Sequence, residues 1–348
     1  MELVKEQAVY QGITARKYYY LLLVAAVCIV SLLVDVLVGP AWLSISDVVK
    51  AVFGVASVEP TANVIVWTMR LPTALMAIVV GATLGIAGAE MQTILDNPLA
   101  SPYTLGISAG AGFGAALAIV VGGDKLPIPE DYLVPLNAFV FALITCLLIY
   151  FIGRARAITA ETMVLAGIGL LFLFHALLAL LQYMASAEAL QSIVFWLFGS
   201  LMKATWTKVG LVTAILLIVF PVLAKDAWKL TAMKLGDEKA KSLGIHVEKL
   251  RLKTFILISL LTASAVCFVG TIGFIGLVGP HIARMLVGED QRFFLPLSAL
   301  GGALLLSLAS IGSKIIVPGA IFPIGIVTSL IGVPFFFSLI LTQKRGYW

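Results

Sequence analysis

The sequence predicts an all-α protein that crosses a membrane about ten times. Hydrophobic residues make up 61% of the 348 residues and charged residues only 12%, whereas charged residues make up about 25% of a typical soluble domain. The apolar residues lie in runs of about 17 to 25, the length that an α-helix needs to cross a bilayer. One long, densely charged segment, residues 225–253, interrupts these runs. We therefore expect a single transmembrane domain over residues 1–348 with this segment as a loop inside it.

The predicted spans follow the apolar runs in chain order. They are approximately Tyr19–Val38, Leu71–Leu95, Tyr103–Val121, Tyr132–Ile152, Met163–Met184, Val209–Leu223, Phe255–Thr271, Phe274–Val287, Phe294–Ile316 and Phe322–Leu341. Glycine at every third position from Gly270 to Gly279, followed by Pro280, predicts close backbone approach and an interrupted helix around the short eighth span. Ser44–Phe53 has the spacing of an amphipathic surface helix with Ser44 as N-cap. Glu188–Phe198 predicts a helix too short to cross.

Lysine and arginine are distributed unequally between the two sides of these spans. An even number of crossings places both termini on one side, and that side also receives most of the basic loop residues: Lys5, Arg16, Lys17, Arg154, Arg156, those of residues 225–253, Arg284, Arg292, Lys344 and Arg345. The other side keeps Lys50, Arg70, Lys125, Lys203, Lys208 and Lys314. Because basic loops stay in the cytoplasm, we expect both termini and the charged segment to be cytoplasmic. The same rule explains the formal net charge of +5, and no nucleic-acid signal accompanies it.

Several classes of function find little support. No Gly-Lys dipeptide occurs, so the chain has no phosphate-binding loop of the G-x-x-x-x-G-K-[ST] type and no ATP site of that kind. The cysteines lie in separate apolar runs without metal or redox spacing, and His281 has no second ligand at metal-binding spacing, so we expect neither a metal site nor a cofactor. Scattered histidines argue against a membrane enzyme with catalytic residues. An ion-driven secondary transporter would need paired carboxylates or a buried lysine in its spans, of which Glu90 is the main candidate; it remains an alternative.

Three stretches carry motifs in a fixed order. The first comprises Arg70-Leu-Pro72, Gly88-Ala-Glu-Met91-Gln92, Asn97-Pro98-Leu99-Ala100-Ser101-Pro102, Leu105-Gly106 and Gly110-Ala111. The second is Leu235-Gly236-x-x-x-Ala240-x-x-Leu243-Gly244-x-x-Val247. The third is Gly273-Phe-Ile-Gly276-Leu-Val-x-Pro280-His281-x-x-Arg284, completed by Pro323-Ile-Gly325 and Gly332-x-Pro334-Phe-Phe336. Together they resemble the FecCD-type permeases of ABC importers, which carry ferric siderophores, haem or cobalamin inward, and the resemblance covers nearly the whole chain.

The resemblance implies an assembly and a site for coupling to it. Members of the family place two permease chains around a central pathway in the inner membrane, two ATPase subunits below, which bind ATP and Mg²⁺, and a substrate-binding protein above. The residues that match the family's cytoplasmic coupling helices, which dock on the ATPase, are Leu235, Gly236, Asp237, Ala240, Leu243, Gly244 and Val247. The simpler alternative is a solvated loop that only joins two spans.

On the outer face, the family uses basic residues to receive acidic groups of the binding protein. Arg70 matches one such position and Lys314 lies near another, although cations there could also only reach lipid headgroups. The sequence departs from the family pattern at four positions. Thr73 replaces an arginine, Asp96 a basic residue, Ser310 an aspartate and Phe322 a glutamate.

The pathway residues are predicted on the fifth span. His175 and Gln182 are seven residues apart and share one helix face, which we expect either to look into the pathway or to bond to a neighbouring span. Thr159, Ala160 and Glu161 match the family's cytoplasmic gate. Glu90 is expected to reach cytoplasmic water from the inner end of the second span.

The combined prediction is the permease subunit of an ATP-driven importer that moves ferric-siderophore-type chelates from periplasm to cytoplasm by alternating access. Cobalamin or haem is the alternative cargo. The sequence leaves open whether the two permease chains are identical.

Overall fold

Helices form almost all of the ordered structure. The computed structural model describes residues 2–55, 59–122, 129–156, 159–317 and 319–342, and these contain no β-strand. The helices are α1 Glu2–Leu37, α2 Ile45–Val52, α3 Pro60–Val64, α4 Leu71–Ile94, α5 Ile107–Leu117, α6 Glu130–Arg156, α7 Ala160–Met184, α8 Ala187–Leu197, α9 Trp206–Lys225, α10 Ala227–Met233, α11 Asp237–Ser242, α12 Val247–Val269, α13 Ile275–Val287, α14 Gln291–Ile315 and α15 Ile324–Thr342. Single π-helical segments, Ile65–Arg70 and Ala118–Gly122, precede α4 and follow α5.

The helices agree closely with the predicted spans. Within the described ranges, seven helices are long and apolar enough to cross a membrane, and the predicted third, eighth and tenth spans correspond to the shorter α5, α13 and α15. The amphipathic helix α2 begins after Ser44, whose hydroxyl accepts a hydrogen bond from the Asp47 amide. The short helix predicted before the sixth span is α8. The all-α prediction with short and interrupted helices is therefore confirmed.

Helix α4 is the centre of the bundle. It packs against α14, α13 and α12, and it is apolar on all faces, as expected of a helix with no solvent-facing side. Gly81, Gly85 and Gly88 line its contacts with neighbouring backbones. A Cβ on Gly88 would overlap the carbonyl oxygen of Gly276 on α13, so this crossing requires glycine.

The predicted interruption around the eighth span lies between α12 and α13. Gly270 and Phe274 both have positive φ angles, 76° and 67°, and they end α12 and begin α13 at an angle that continuous helix cannot make. Gly276 then meets α4, and Gly279 meets the backbone of α14 at Gly301 and Gly302. The glycine spacing read from the sequence thus serves two close helix contacts.

The two ends of the bundle differ in charge. We call the end that holds the start of α1, residues 225–253 and the turn at 288–290 the basic end; Lys17 and Asp290 approach there to 3.9 Å. The opposite end holds α2, α8 and the segments 198–205 and 319–323. Candidate sites lie at both ends.

Candidate functional site

The charged segment at the basic end is folded rather than a free loop. Helices α10 and α11 and the first turns of α12 follow one another through two glycine turns. Gly236 and Gly244 bracket α11 with φ angles of 95° and 81°, a backbone region that other residues rarely adopt. The acidic residues Asp237 and Glu238 begin α11, and Lys239 and Lys241 end it, which is the favourable arrangement along a helix dipole.

The predicted coupling residues divide into a surface and its support. Leu235 and Leu243, on either side of α11, are 56% and 51% exposed. Ala240 and Val247 are fully buried beneath them. Gly236 and Gly244 are also exposed, and a Cβ at either position would meet open space. The segment therefore exposes two leucines and a polar helix above the buried Ala240 and Val247. A binding surface needs such rigid support beneath its exposed side chains.

Charged contacts that the sequence did not reveal fasten this segment to the bundle. Arg251 on α12 is buried; its Nε donates to the carbonyl of Ile94 at 2.9 Å and its guanidinium pairs with Asp237 at 2.9 Å. Lys234 pairs with Asp96 at 2.6 Å and with Glu289 at 3.5 Å. These partners are 14 to 157 residues apart in the chain, so no helical periodicity relates them.

Asp226 joins α9, α10 and α12 at the start of the segment. Lys229 donates to its carboxylate at 2.9 Å, and Lys253 donates to the other oxygen. Burial raises the pKa of the Asp226 carboxyl, but the hydrogen bonds from Lys253 and Lys229 outweigh it and hold that pKa below its ordinary value of 3.8. The folded state therefore favours the charged form of this carboxyl.

We expect Asp226→Asn to lower the melting temperature of the purified protein at neutral pH. A carboxyl whose folded pKa is depressed contributes stability above its unfolded pKa and loses it as pH falls through the folded value. The difference in melting temperature between wild type and variant should therefore shrink as pH falls below about 4. Glu238→Gln, at an exposed position, is the control that should show no such change. An Asp226→Asn deficit that stays constant across this pH range would contradict the assignment.

A cavity of about 960 Å³ opens at the basic end between the α4–α5 loop, the start of α7, α13 and α15. Ala160 and Glu161 line it, and Thr159 is the N-cap of α7, its hydroxyl accepting from the Thr162 amide. Asp96 and His281 also line it. His281 packs edge-on against the ring of Phe335. The structure thus brings two of the three predicted gate residues to a cavity wall.

The other polar residues of the spans lie elsewhere. His175 is exposed on the surface of the single chain, Gln182 is half-buried, and neither lines a described cavity. Whether they face a pathway stays a prediction. Glu90 does not reach water, contrary to the prediction: it is fully buried, and its carboxyl has no hydrogen-bond partner among the described residues. The close packing of α4 against its neighbours leaves no route from this side chain to the surface.

At the opposite end, the two predicted docking cations have partners inside this chain. Arg70 donates to the carbonyls of Leu37 at 2.7 Å and Ala41 at 2.6 Å, at the end of α1. Lys314 pairs with Asp35 at 2.7 Å. Docking by these residues stays a prediction, while the structure uses both side chains to hold α1. A cavity of about 470 Å³ lies beside Lys314, with Lys203 and Lys208 also at its wall.

Among the described residues, no group of three His, Cys, Asp or Glu side chains could hold a metal ion.

The contacts that sequence reasoning missed are the pairs of Asp35, Lys234 and Arg251. Asp35 was detectable, because a lone carboxylate within an apolar run is a functional signal in its own right. Lys234 and Arg251 lie in a charge-rich segment, where nothing in the sequence distinguishes paired from solvated charges.

The comparisons with known proteins agree on one family. The model of the FecCD transport family matches residues 23–342. The Fe(3+)-citrate import system permease of Bacillus subtilis (strain 168) is 36% identical over 93% of this chain and 95% of its own length. The vitamin B12 import system permease of Vibrio vulnificus (strain CMCP6) is 34% identical over 92% of this chain and 96% of its own. A solved inward-facing structure, described as a metal-chelate type ABC transporter, matches with a TM-score of 0.81 and 31% identity, over 93% of this chain and 99% of that one.

Proposed function

Since this chain belongs to the FecCD transport family, we propose that it carries ferric-siderophore-type chelates from the periplasm to the cytoplasm. It is a permease subunit of an ABC importer for chelates, haem or vitamin B12, and separate subunits hydrolyse ATP. A periplasmic substrate-binding protein delivers the cargo, and a second permease chain, identical or related, completes the pathway.

The observation that carries the proposal is the folded charged segment at the basic end. Two glycine turns hold α11 on the surface with Leu235 and Leu243 exposed beside it. A chain that lacks a phosphate-binding loop of its own must receive the energy of ATP through such a contact. The seven residues from Leu235 to Val247 that match the coupling motif form this contact, with Ala240 and Val247 as its buried support.

The direction of transport follows from charge. The positive-inside rule assigns the basic end to the cytoplasm, so both termini lie on the cytoplasmic side. The membrane that the protein crosses is the inner membrane of the cell. The cavity lined by Ala160 and Glu161 is then the cytoplasmic mouth of the pathway, with Thr159 capping the gate helix α7. His175 and Gln182 face the pathway farther along α7, once the second permease chain is in place.

Alternating access requires no bond in the cargo to change. Docking of the binding protein and binding of ATP each shift the equilibrium between outward-open and inward-open states, to the extent that each prefers one of them. Relatives with different cargoes share this permease fold, which is consistent with a pathway that holds its cargo weakly. The ferric citrate permease and the vitamin B12 permease both align over most of both chains, so the choice of iron chelate as cargo is decided by the uptake experiment that follows.

The test is Gly244→Arg in the complex of this chain with the ATPase and binding protein encoded beside it, reconstituted in proteoliposomes. An arginine at an exposed coupling turn should block docking and lower ATP-driven uptake at least tenfold, about 1.4 kcal/mol of docking free energy. Gly244→Asn is the matched control, because asparagine tolerates a positive φ without the bulk. Iron-55 citrate, cyanocobalamin and haemin, offered separately, identify the cargo.

Two outcomes would count against the proposal. If Gly244→Arg supports uptake at the wild-type rate, the segment is only a connecting loop. If the wild-type chain associates with no ATPase and transports only down an imposed ion gradient, it is a secondary transporter.

A further inference from the structure

Two charged contacts, one on each side of Gly236 in the chain, connect the charged segment to the end of α4 at the basic end. Lys234, two residues before Gly236, pairs with Asp96 at 2.6 Å, immediately after α4. Asp237, the residue after Gly236, pairs with Arg251, which also donates to the carbonyl of Ile94 in the last turn of α4. Both cations are largely buried, with side chains 15% and 5% exposed.

The end of α4 leads directly to the cavity at the basic end. Residues 95–99 form part of its wall together with Ala160 and Glu161, and Lys234 lines it as well. Glu289 extends the same cluster, since it pairs with Lys234 at 3.5 Å and with Arg284 at 3.0 Å. Arg284 in turn donates to Gln92 of α4 at 2.8 Å.

These contacts restrict the backbone movement that the glycine turn at Gly236 would otherwise allow. Gly236 has open space around it and a positive φ, so the glycine turn itself does not fix α11 to α4. The buried Ala240 anchors α11 within the charged segment, and the two contacts connect that segment to the end of α4. Asp96, with a φ of 43°, occupies a left-handed turn, and its carboxylate is held there by Lys234. Because the ties lie on both sides of the glycine, a displacement of α11 must move the end of α4.

We propose that Lys234 and Arg251 are positioning residues that transmit movement of the ATPase contact to the end of α4, and so to the cytoplasmic mouth of the pathway. This inference rests on the proposed function, since it takes α11 as the ATPase contact. Residues 234–237, the end of α4 and the 95–99 loop then move as one body. Asp96, at a position where a basic residue is usual in the family, is the partner of Lys234 that connects residues 234–237 to the end of α4.

The test places a reporter cysteine, Leu99→Cys, in the cavity wall of the assembled complex. Leu99 is 38% exposed, and the three native cysteines are buried, so a maleimide should label the new thiol selectively. The labelling rate is measured without nucleotide and after trapping with ATP and vanadate. In the otherwise wild-type chain we expect a several-fold difference between these two states.

Lys234→Gln combined with Arg251→Gln removes both ties. The partners left behind, Asp96 and Asp237, have side chains 66% and 43% exposed, so water can solvate them and the chain should still fold. We expect the complex to assemble and hydrolyse ATP but the nucleotide-dependent difference in labelling to disappear. The conservative variant Lys234→Arg, which keeps a cation between Asp96 and Glu289, should retain the difference.

The matched control is Glu248→Gln, which breaks the exposed pair with Lys241 at 2.7 Å and so removes one contact between α11 and α12 while leaving both contacts with the end of α4 in place. It should leave the labelling response unchanged. A double-glutamine variant that keeps the wild-type response would overturn the proposal, as would a wild-type reporter that does not respond to trapping. Failure of the chain to co-purify with any ATPase would instead refute the proposed function, and it is detected before any labelling.

Discussion

Asp35→Asn is expected to destabilise the protein by about 3–5 kcal/mol, the usual cost of breaking a buried ion pair by removing one partner. Lys314 donates to the Asp35 carboxylate at 2.7 Å, and the two side chains are 4% and 0% exposed. Without the carboxylate, the ammonium of Lys314 would remain in the bundle with no compensating charge. Thermal unfolding of the purified protein in nanodiscs measures the loss, with Asp131→Asn, at an exposed position near the start of α6, as the control.

Moving the carboxylate to α14 should restore most of that stability. Ser310 donates to the same oxygen of Asp35 at 3.0 Å, and it precedes Lys314 by one helical turn, a spacing at which side chains meet. Asp35→Asn with Ser310→Asp should therefore melt close to wild type. If the single variant is as stable as wild type, or the second substitution rescues nothing, the ion pair does not have this role.

The pair also explains one departure from the family pattern. The position of Ser310 is commonly aspartate in the family, which would place the counter-ion of Lys314 on its own helix. In this chain the first helix provides it instead, and the hydrogen bond between Ser31 and Ser307 at 2.8 Å ties α1 to the same face of α14. In this chain, therefore, a carboxylate of α1 rather than of α14 lies beside Lys314.

Gly88→Ala is expected to be the most damaging single methyl group that can be added to the bundle centre. The new Cβ would overlap the carbonyl oxygen of Gly276 and lie 2.7 Å from its Cα, and backbone cannot yield as a flexible side chain can. Overpacking a core usually costs about 1–3 kcal/mol, and a backbone obstruction places this substitution at or above the upper limit. Loss of folded protein on size-exclusion chromatography, or a much lower melting temperature, is the expected result.

Gly169→Ala is the matched control for this effect. It also lies within a long helix, α7, but a Cβ there would have no neighbour within 4 Å. Alanine favours helix over glycine by about 1 kcal/mol, so this variant should be at least as stable as wild type. If Gly88→Ala behaved in the same way, the α4–α13 crossing would have to be looser than the structure has it.

The sequence was most informative where a local pattern is sufficient. Each predicted span corresponds to a helix of the structure, because a helix satisfies its own backbone hydrogen bonds in lipid. Helices α1 and α12 begin well before the predicted Tyr19 and Phe255, since their first turns are polar. Ser44 was recognisable as an N-cap from its place before an amphipathic run. The coupling motif identified Gly236 and Gly244, whose positive φ angles the structure then showed.

The sequence was least informative where the role of a side chain depends on partners distant in the chain. Docking by Arg70 and Lys314 stays a prediction, but the sequence could not show that Arg70 bonds to carbonyls at the end of α1 or that Lys314 pairs with Asp35. Glu90 was expected to reach water because it lies near the end of a span, but the packing around α4 encloses it. Each outcome was set by a helix remote in the chain.

The sequence by itself determined the class of protein, the order of its helices and the family, and it predicted the segment for coupling to an ATPase. These follow from composition, from the length of apolar runs and from motifs that act over a single turn. Only the tertiary structure decided which charges are paired and which are exposed, because burial and ion pairing depend on distances between helices. The connection from α11 through Lys234 and Arg251 to the end of α4 is of this second kind, since it exists only once the helices have packed.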